Sequence, residues 1–376
     1  MNDLVWLEIK KENLISNIKT LKNLAGSKVL ISPCVKANAY GHGLIETAKI
    51  FISAGADWLS VNSIEEAKKI RDVGINRPIL VIGYVAESEL EKILDWDLKI
   101  FISNFDYAEK LSMTGKIKNK IAKVHLKIDT GMHRYGVLMA EAEELAKKIK
   151  KLPHITIEGL ATHFATSDEP LNLSYFNRQL ENFKEIVPKI KNLVGNDLII
   201  HCDKSASLLL CRHGLADLVR PGIAAYGYYP SQDVAKLAQE KNIILRPALS
   251  FKTKIGQIKK IPENSCVGYG CTCYTKRPTV LATIPVGYYD GYDRKLSNQG
   301  YVLVNGQKAP ILGRVCMNIT IIDITDCGQV IEGDEVVLIG EQGQENITVE
   351  QIANWAKTIN YEVITRLRES LPRYYI

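Results

Sequence analysis

The sequence predicts a parallel barrel of eight β/α units over residues 1–240, followed by a mostly β domain over residues 241–376. Three observations predict it. Short apolar runs alternate with amphipathic stretches through the first part, the pattern of repeated βαβ units. After about Arg246 that alternation gives way to strands separated by turn residues, with no low-complexity linker between. A chain of 376 residues, 46% hydrophobic and 24% charged, also suits a globular protein with more than one domain.

Eight strand candidates carry the first part: VLISPCV, DWLSV, PILVIG, LKIFIS, AKVHLKID, ITIEGLATH, DLIIHC and ADLVRPGI. Each is short, apolar and rich in β-branched residues. Between them, GLIETAKIFISAG, SIEEAKKIRDVG, AEAEELAKKIKKL and FNRQLENFKEIVPKI repeat apolar residues at three- and four-residue spacing, and several end at glycine or proline. In the second part ALSFKTKIGQIKKI, TVLATIPVGYY, YVLVNGQKAPILGRVCMNITIIDIT and DEVVLIG read as strands. Asn305-Gly306 suits a tight hairpin turn, and TVEQIANWAKTI is the one clear helix.

The bulk properties exclude several classes. A net charge of +6, with lysines scattered along polar helix faces, argues against nucleic-acid binding. No apolar run is long enough to span a bilayer. The first residues lack a targeting pattern, so a cytoplasmic protein is expected. The eight cysteines form no pair of CxxC motifs and no zinc spacing. Most are expected to be free thiols acting as small hydrophobes, the CTC pair included, and no metal site is expected.

The stretch SPCVKANAYGHG directs the search for chemistry. It sets Lys36 at the end of an apolar strand, where a partly buried amine is suited to forming a Schiff base. Active sites of such barrels lie at the C-terminal strand ends. Those ends carry Lys36 and Tyr40, Lys127 and Arg134, His163, His201 and Ser205, and Arg220. The loops after strands seven and eight offer the Ser205 hydroxyl and the N–H groups of Gly222 and Ile223 to a phosphate. A lysine amine and a phosphate site on one rim point to pyridoxal phosphate.

The chain resembles the alanine racemase family, fold-type III pyridoxal-phosphate enzymes, through WLEIKKENLISNI, VKANAYGHG, KIDTGMHR, EGLATHFATSDE, HCDKSAS, VRPGIAAYG, VGYG, IPVGYYDGY, GRVCMN and INYEV. The resemblance implies interconversion of L- and D-alanine, supplying peptidoglycan, by a homodimer with shared sites. A serine or broad-specificity racemase of the same family is the alternative. Lys36 would bond the cofactor and act as one base, with Tyr269 from the partner subunit as the other. Tyr40, Ser205, Gly222, Ile223 and Tyr361 would hold the phosphate. Arg220, backed by His201, would face the ring nitrogen, with His163 beside the ring. Arg134 and the Met317 N–H would hold the substrate carboxylate, and Cys316 would crowd its side chain. Tyr288, Arg294, Arg314 and Asp168 would shape the entrance. Lys127 would be carbamylated and orient Arg134. Four residues depart from the common pattern: Lys204, Ser207, Tyr289 and Asn318.

Two features fit racemisation. Removing a proton from one face of Cα and returning one to the other calls for two acid/base groups. A neutral phenol is a weak base at pH 7, so a fixed cation such as Arg134 is expected to assist Tyr269. Guanidinium only donates hydrogen bonds, so Arg220 would leave the ring nitrogen unprotonated. A decarboxylase of this fold type would be expected to place an acid there. A non-catalytic cofactor carrier would lack the β domain.

Overall fold

The computed structural model describes residues 3–211 and 215–376. The chain forms two compact units: Glu12–Ala39 with Leu44–Pro247, and Met1–Lys11 with Tyr40–Gly43 and Ala248–Ile376.

In the first unit all eight expected strands are present. Six pair in parallel in the order Leu59–Val61, Ile79–Val81, Leu98–Ile102, Ala122–Asp129, Ile155–Ala161 and Ile199–His201. Leu30–Ile31 and Leu218–Val219 form a separate parallel pair. Hydrogen bonds link this pair to the six-stranded sheet. Val35 N–H donates to Ser60 O at 2.8 Å, and Asp217 N–H donates to Ile200 O at 2.8 Å. The strands are short and mostly buried on both faces, which is why they read as apolar runs rather than alternations. Trp58, Leu80, Phe101, Ala161 and Leu218 pack together as one buried cluster.

The helices of this unit start where small polar residues cap them. Ser63 accepts from Glu66 N–H, Asn104 from Tyr107 N–H and Ser231 from Val234 N–H. The helix Phe105–Lys118 stops at Asn119, in the left-handed conformation.

The second unit is mostly β. One sheet runs Gln307–Pro310, Tyr301–Val304, Glu335–Gln342, Leu249–Lys254, Val5–Ile9, Arg373–Tyr375, with Glu345–Ile347 paired to Glu335–Gln342. A second sheet joins Gln257–Ile261, Thr279–Ile284 and Thr320–Asp323. Asn305 and Gly306 both have positive φ, as a tight hairpin turn requires, and Val304 pairs with Gln307. Thr348 and Gln351 cap the helix Val349–Ala356 reciprocally. A further short helix, Asn360–Thr365, carries Tyr361; its six residues are too few to show a period in the sequence.

The two glycines of YGHG belong to this second unit. A Cβ on Gly41 would lie 2.1 Å from Ile364 O, and one on Gly43 would lie 2.1 Å from Tyr375 Oη. Both also have positive φ, so only glycine fits there.

Candidate active site

Lys36 is half-buried at the exit of the Leu30–Ile31 strand, and the chain after it makes an unusual turn. Ala37, Asn38, Ala39 and Tyr40 all take left-handed conformations, with φ of 53°, 52°, 52° and 51°. Each such non-glycine residue costs about 1–2 kcal/mol. The turn is held by Ala39 N–H on Val35 O at 2.8 Å and by Ala37 N–H on the Glu66 carboxylate at 2.7 Å. Asn38 Oδ1 accepts from Leu44 N–H at 2.8 Å, and His42 Nδ1 lies 2.9 Å from Tyr40 O. Backbone strain of this kind persists where surrounding contacts over-determine it, and it concentrates at functional sites.

The neighbouring strand end brings a set of donors to the same place. Cys34 N–H donates to Pro221 O at 2.8 Å, and Tyr226 Oη donates to Cys34 O at 2.7 Å. Lys36 lies two residues, and Gly222 one residue, after two hydrogen-bonded partners. Gly222 and Ala224 N–H converge on Ser205 Oγ at 2.9 and 3.3 Å. Ile223 opens the short 3-10 helix Ile223–Tyr226, whose first N–H groups have no partner within the helix.

Below this rim lies a directional relay. Arg220 donates through Nη1 to His201 Nδ1 and, at 3.0 Å, to His201 O; Nη2 donates to Thr162 O at 3.0 Å. Because guanidinium can only donate, His201 Nδ1 accepts and its Nε2 carries the proton. That Nε2 is 2.7 Å from His125 Nδ1, and His125 Nε2 is 3.4 Å from a Glu158 oxygen. One assignment satisfies every link, with both imidazoles neutral and each donating toward Glu158. Burial pushes the pKa of His201 well below its ordinary value, with Arg220 adding to the effect. Burial also lowers His125, against the opposing pull of Glu158. Phe101 stacks on His201 at 5.8 Å, and Trp58 packs edge-on against His125 at 5.7 Å.

Two further predicted residues share this interior. Lys127 is buried, its amine 5.4 Å from the centre of the Phe101 ring. Burial, with Arg220 and Arg134 nearby, holds its pKa well below the usual lysine range. Burial and the cations Lys127, Arg220, Lys204 and Arg134 hold His163 well below the usual histidine range. Arg134 itself is exposed. Asp168 pairs with Lys204 at 2.9 Å, so one departure from the family pattern carries its own counter-ion. Ser207 Oγ accepts from Lys204 N–H at 3.0 Å, capping the start of the helix Ser205–Leu209.

In the second unit Tyr40 and Tyr361 place their rings 6.2 Å apart. Tyr269 is 70% exposed and Met317 is 56% exposed. Tyr288 N–H donates to Cys316 O at 3.0 Å, and Tyr289 N–H donates to Met317 O at 2.9 Å, which stitches two loops together. The other departures differ: Arg368 stacks over the Tyr289 ring at 4.9 Å, whereas Asn318 is simply exposed. Tyr288 and Arg294 line a cleft of about 480 Å³ with Gly291, Asp293 and Arg366. Arg314 packs elsewhere, against the turn that carries Tyr269: a Cβ on Gly270 would lie 3.3 Å from its guanidinium.

The cysteines depart from expectation at one place. Cys34, Cys202, Cys211, Cys273, Cys316 and Cys327 are free, but Cys266 and Cys271 form a disulfide. The CTC pair is thus not plain filler, because its first member bonds a cysteine five residues earlier, across a turn. Sequence reasoning also missed His125, Glu158 and Glu66. His125 and Glu158 sit inside strands, where they passed for parts of an apolar alternation, and Glu66 lies in the polar face of a helix.

The donor set fits pyridoxal phosphate. A serine hydroxyl and converging backbone N–H groups suit a phosphate, the half-buried Lys36 amine suits an aldehyde, and a buried guanidinium suits a ring nitrogen that accepts. Among the described residues no group of three or more His, Cys, Asp or Glu is placed to hold a metal ion. No described helix is long and apolar enough to cross a membrane.

Comparison with known proteins identifies the family. The family profile "Alanine racemase, N-terminal domain" matches residues 9–230, and "Alanine racemase, C-terminal domain" matches residues 248–375. The chain is 43% identical over 370 residues to an alanine racemase of Halothermothrix orenii, covering 98% of this chain and 96% of the relative. It is 40% identical over 371 residues to alanine racemase 2 of Caldanaerobacter subterraneus subsp. tengcongensis, covering 98% and 94%. Among solved structures, the alanine racemase of Clostridium difficile 630 superposes with a TM-score of 0.93 at 35% identity, covering 100% of this chain and 96% of that one. The alanine racemase of Bacillus anthracis with bound L-Ala-P gives 0.92 at 33% identity, with the same coverage.

Proposed function

The chain belongs to the alanine racemase family, and from that premise we propose that Lys36 and Tyr269 are the two acid/base groups of its reaction. The enzyme is an isomerase that interconverts L- and D-alanine, and its family depends on pyridoxal phosphate. A preference for serine, or for many amino acids, is not favoured. In the proposed homodimer, Lys36 of one subunit meets Tyr269 of the other. Residues 1–240 bind the cofactor, and residues 241–376 reach the partner's site. The eight parallel strands are read as one closed barrel, supported by the hydrogen bonds of Val35 to Ser60 and of Asp217 to Ile200. The reading extends to a cytoplasmic enzyme whose D-alanine feeds peptidoglycan, as the family resemblance implies.

When bound, pyridoxal phosphate supplies an electron sink for the charge left at the substrate Cα. Lys36 would hold its aldehyde end. Ser205, Gly222, Ile223, Tyr40 and Tyr361 would hold its phosphate, and Arg220, His201 and His163 its ring. Lys36 Nζ and Tyr269 Oη would each take or return the Cα proton, on opposite faces. Arg134 and Met317 N–H would orient the substrate carboxylate, and Cys316, Tyr288, Arg294, Arg314 and Asp168 would border its access. Burial shifts Lys127 toward the neutral amine that adds to carbon dioxide, and the resulting carbamate would hold Arg134.

The observation that supports the reading is the Cys34–Pro221 hydrogen bond, which joins the strand end before Lys36 to the loop that carries Gly222. The test is reduction of the cofactor-loaded enzyme with borohydride, followed by peptide mapping. Label on Lys36, with L-alanine racemised faster than L-serine by the untreated enzyme, supports the reading. Label on another lysine refutes it.

A further inference from the structure

The disulfide and Tyr269 occupy the same six residues. Cys266 and Cys271 close a ring through Val267, Gly268, Tyr269 and Gly270, with their Cα atoms 5.1 Å apart. Both cysteines are exposed. Up to Val267 the hairpin is well paired. Val267 N–H donates to Cys273 O at 3.0 Å, Thr275 N–H to Ser265 O at 3.0 Å and Asn264 N–H to Thr275 O at 2.8 Å. From Gly268 to Cys271 no further bond of this backbone ladder is found among the described residues. Tyr269 is flanked by Gly268 and Gly270, both with φ of 72°, and glycine is the residue with most backbone freedom to lose. The covalent link adds to the packing of Arg314 and the Asn298–Thr272 hydrogen bonds in confining this turn. A third thiol, Cys273, is half-buried two residues beyond Cys271, within the same loop.

We propose that Cys266 and Cys271 are a reversible thiol–disulfide site that governs how firmly Tyr269 is held, with a low-molecular-weight thiol and its disulfide as the reacting pair. The inference rests on Tyr269 being a base. In the forward direction one cysteine thiolate attacks the small disulfide, forming a mixed disulfide and releasing one small thiolate. The second cysteine thiolate attacks the cysteine sulfur of that mixed disulfide and releases the other. The two protein thiols give up two electrons, the small disulfide becomes two thiols, and the protons pass to the released thiolates. Excess small thiol runs the steps in reverse. The oxidised turn presents Tyr269 in one position; the reduced turn lets it wander.

The test uses cofactor-loaded enzyme reduced with TCEP, then reoxidised with glutathione disulfide. Linked peptides are mapped by mass, and kcat/KM for L-alanine is measured in each state. A Cys266–Cys271 linked peptide is expected only after oxidation, with kcat/KM about tenfold higher than in the reduced state, since small misplacements of a reacting group are costly. The double variant Cys266→Ser/Cys271→Ser should match the reduced wild type and form no linked peptide with either reagent. Absence of the linked peptide, or equal kcat/KM in both states, overturns the proposal alone. Full activity in Tyr269→Phe overturns the assignment on which it rests.

Discussion

The two units present their chemistry in opposite ways. In the parallel-strand unit, Arg220, His201, His125 and Lys127 are buried and fixed by hydrogen bonds or ring contacts from several strands. In the β unit, Tyr269, Met317 and Tyr288 stand exposed on loops. Groups that must hold a large cofactor in one electrostatic state gain from a dry, over-determined setting. Groups proposed to meet a small substrate in a partner's site must be reachable before assembly. On the proposed reading, the contrast separates the groups that hold the cofactor ring from those offered to the partner's substrate.

The largest effect expected breaks the first side of that contrast. Lys36→Ala should lower kcat/KM for L-alanine by about a thousandfold or more, because it removes both the proposed covalent anchor and a proposed base. Mixed with a Tyr269→Phe chain under conditions of subunit exchange, it should regain activity through hybrid dimers with one intact site. No recovery despite proven exchange would argue that each site is built within one chain.

Next comes the relay. Glu158→Leu leaves His125 Nε2–H buried without its acceptor and should cost about 1–3 kcal/mol of stability by denaturant unfolding. Glu158→Gln keeps an acceptor and should cost less. Equal losses in the two variants would mean that the directional assignment is wrong.

The same network predicts how pH divides the molecule. Burial depresses His201, His163 and His125, while in the unfolded chain each titrates near about 6.5. The unfolded state therefore binds more protons as pH falls below that value. The stability these groups allow is fully present above it and is lost toward the depressed folded values. Hydrogen-exchange protection of Ala122–Asp129 should fall more steeply from pH 7.5 to 5 than that of Thr279–Ile284. Parallel losses in both strands would count against this account.

The smallest effect concerns Lys204. Its pair with Asp168 is partly exposed, and such pairs contribute about 0–1 kcal/mol. Lys204→Asn should shift the thermal midpoint little and change KM for L-alanine by less than about threefold. A larger KM change would give this departure a direct part in substrate binding.

What was legible in the sequence follows from the range of the forces involved. Local periodicity announced the eight parallel strands, the Asn305-Gly306 turn and the Val349–Ala356 helix. Strand-end position singled out Lys36, Ser205 and Gly222. The left-handed run after Lys36 was hidden because Ala37 and Ala39 carry no mark of that conformation; it is imposed by Glu66 and the surrounding backbone. Val5–Ile9 pairs with Leu249–Lys254 and Arg373–Tyr375, hundreds of residues away, and no local signal encodes that. The disulfide was missed because Cys271 was weighed with Cys273 rather than with Cys266.

The central claim is that Lys36 and Tyr269 serve opposite faces of the same Cα. Proton exchange in D2O tests it most directly. Wild-type enzyme should place deuterium at Cα while racemising either enantiomer of alanine. Tyr269→Phe should lose about 10²–10⁴-fold in racemisation, yet still exchange the Cα proton of the one enantiomer that Lys36 serves, with retention of configuration. Racemisation at the wild-type rate, or equal loss of exchange from both enantiomers, would contradict it.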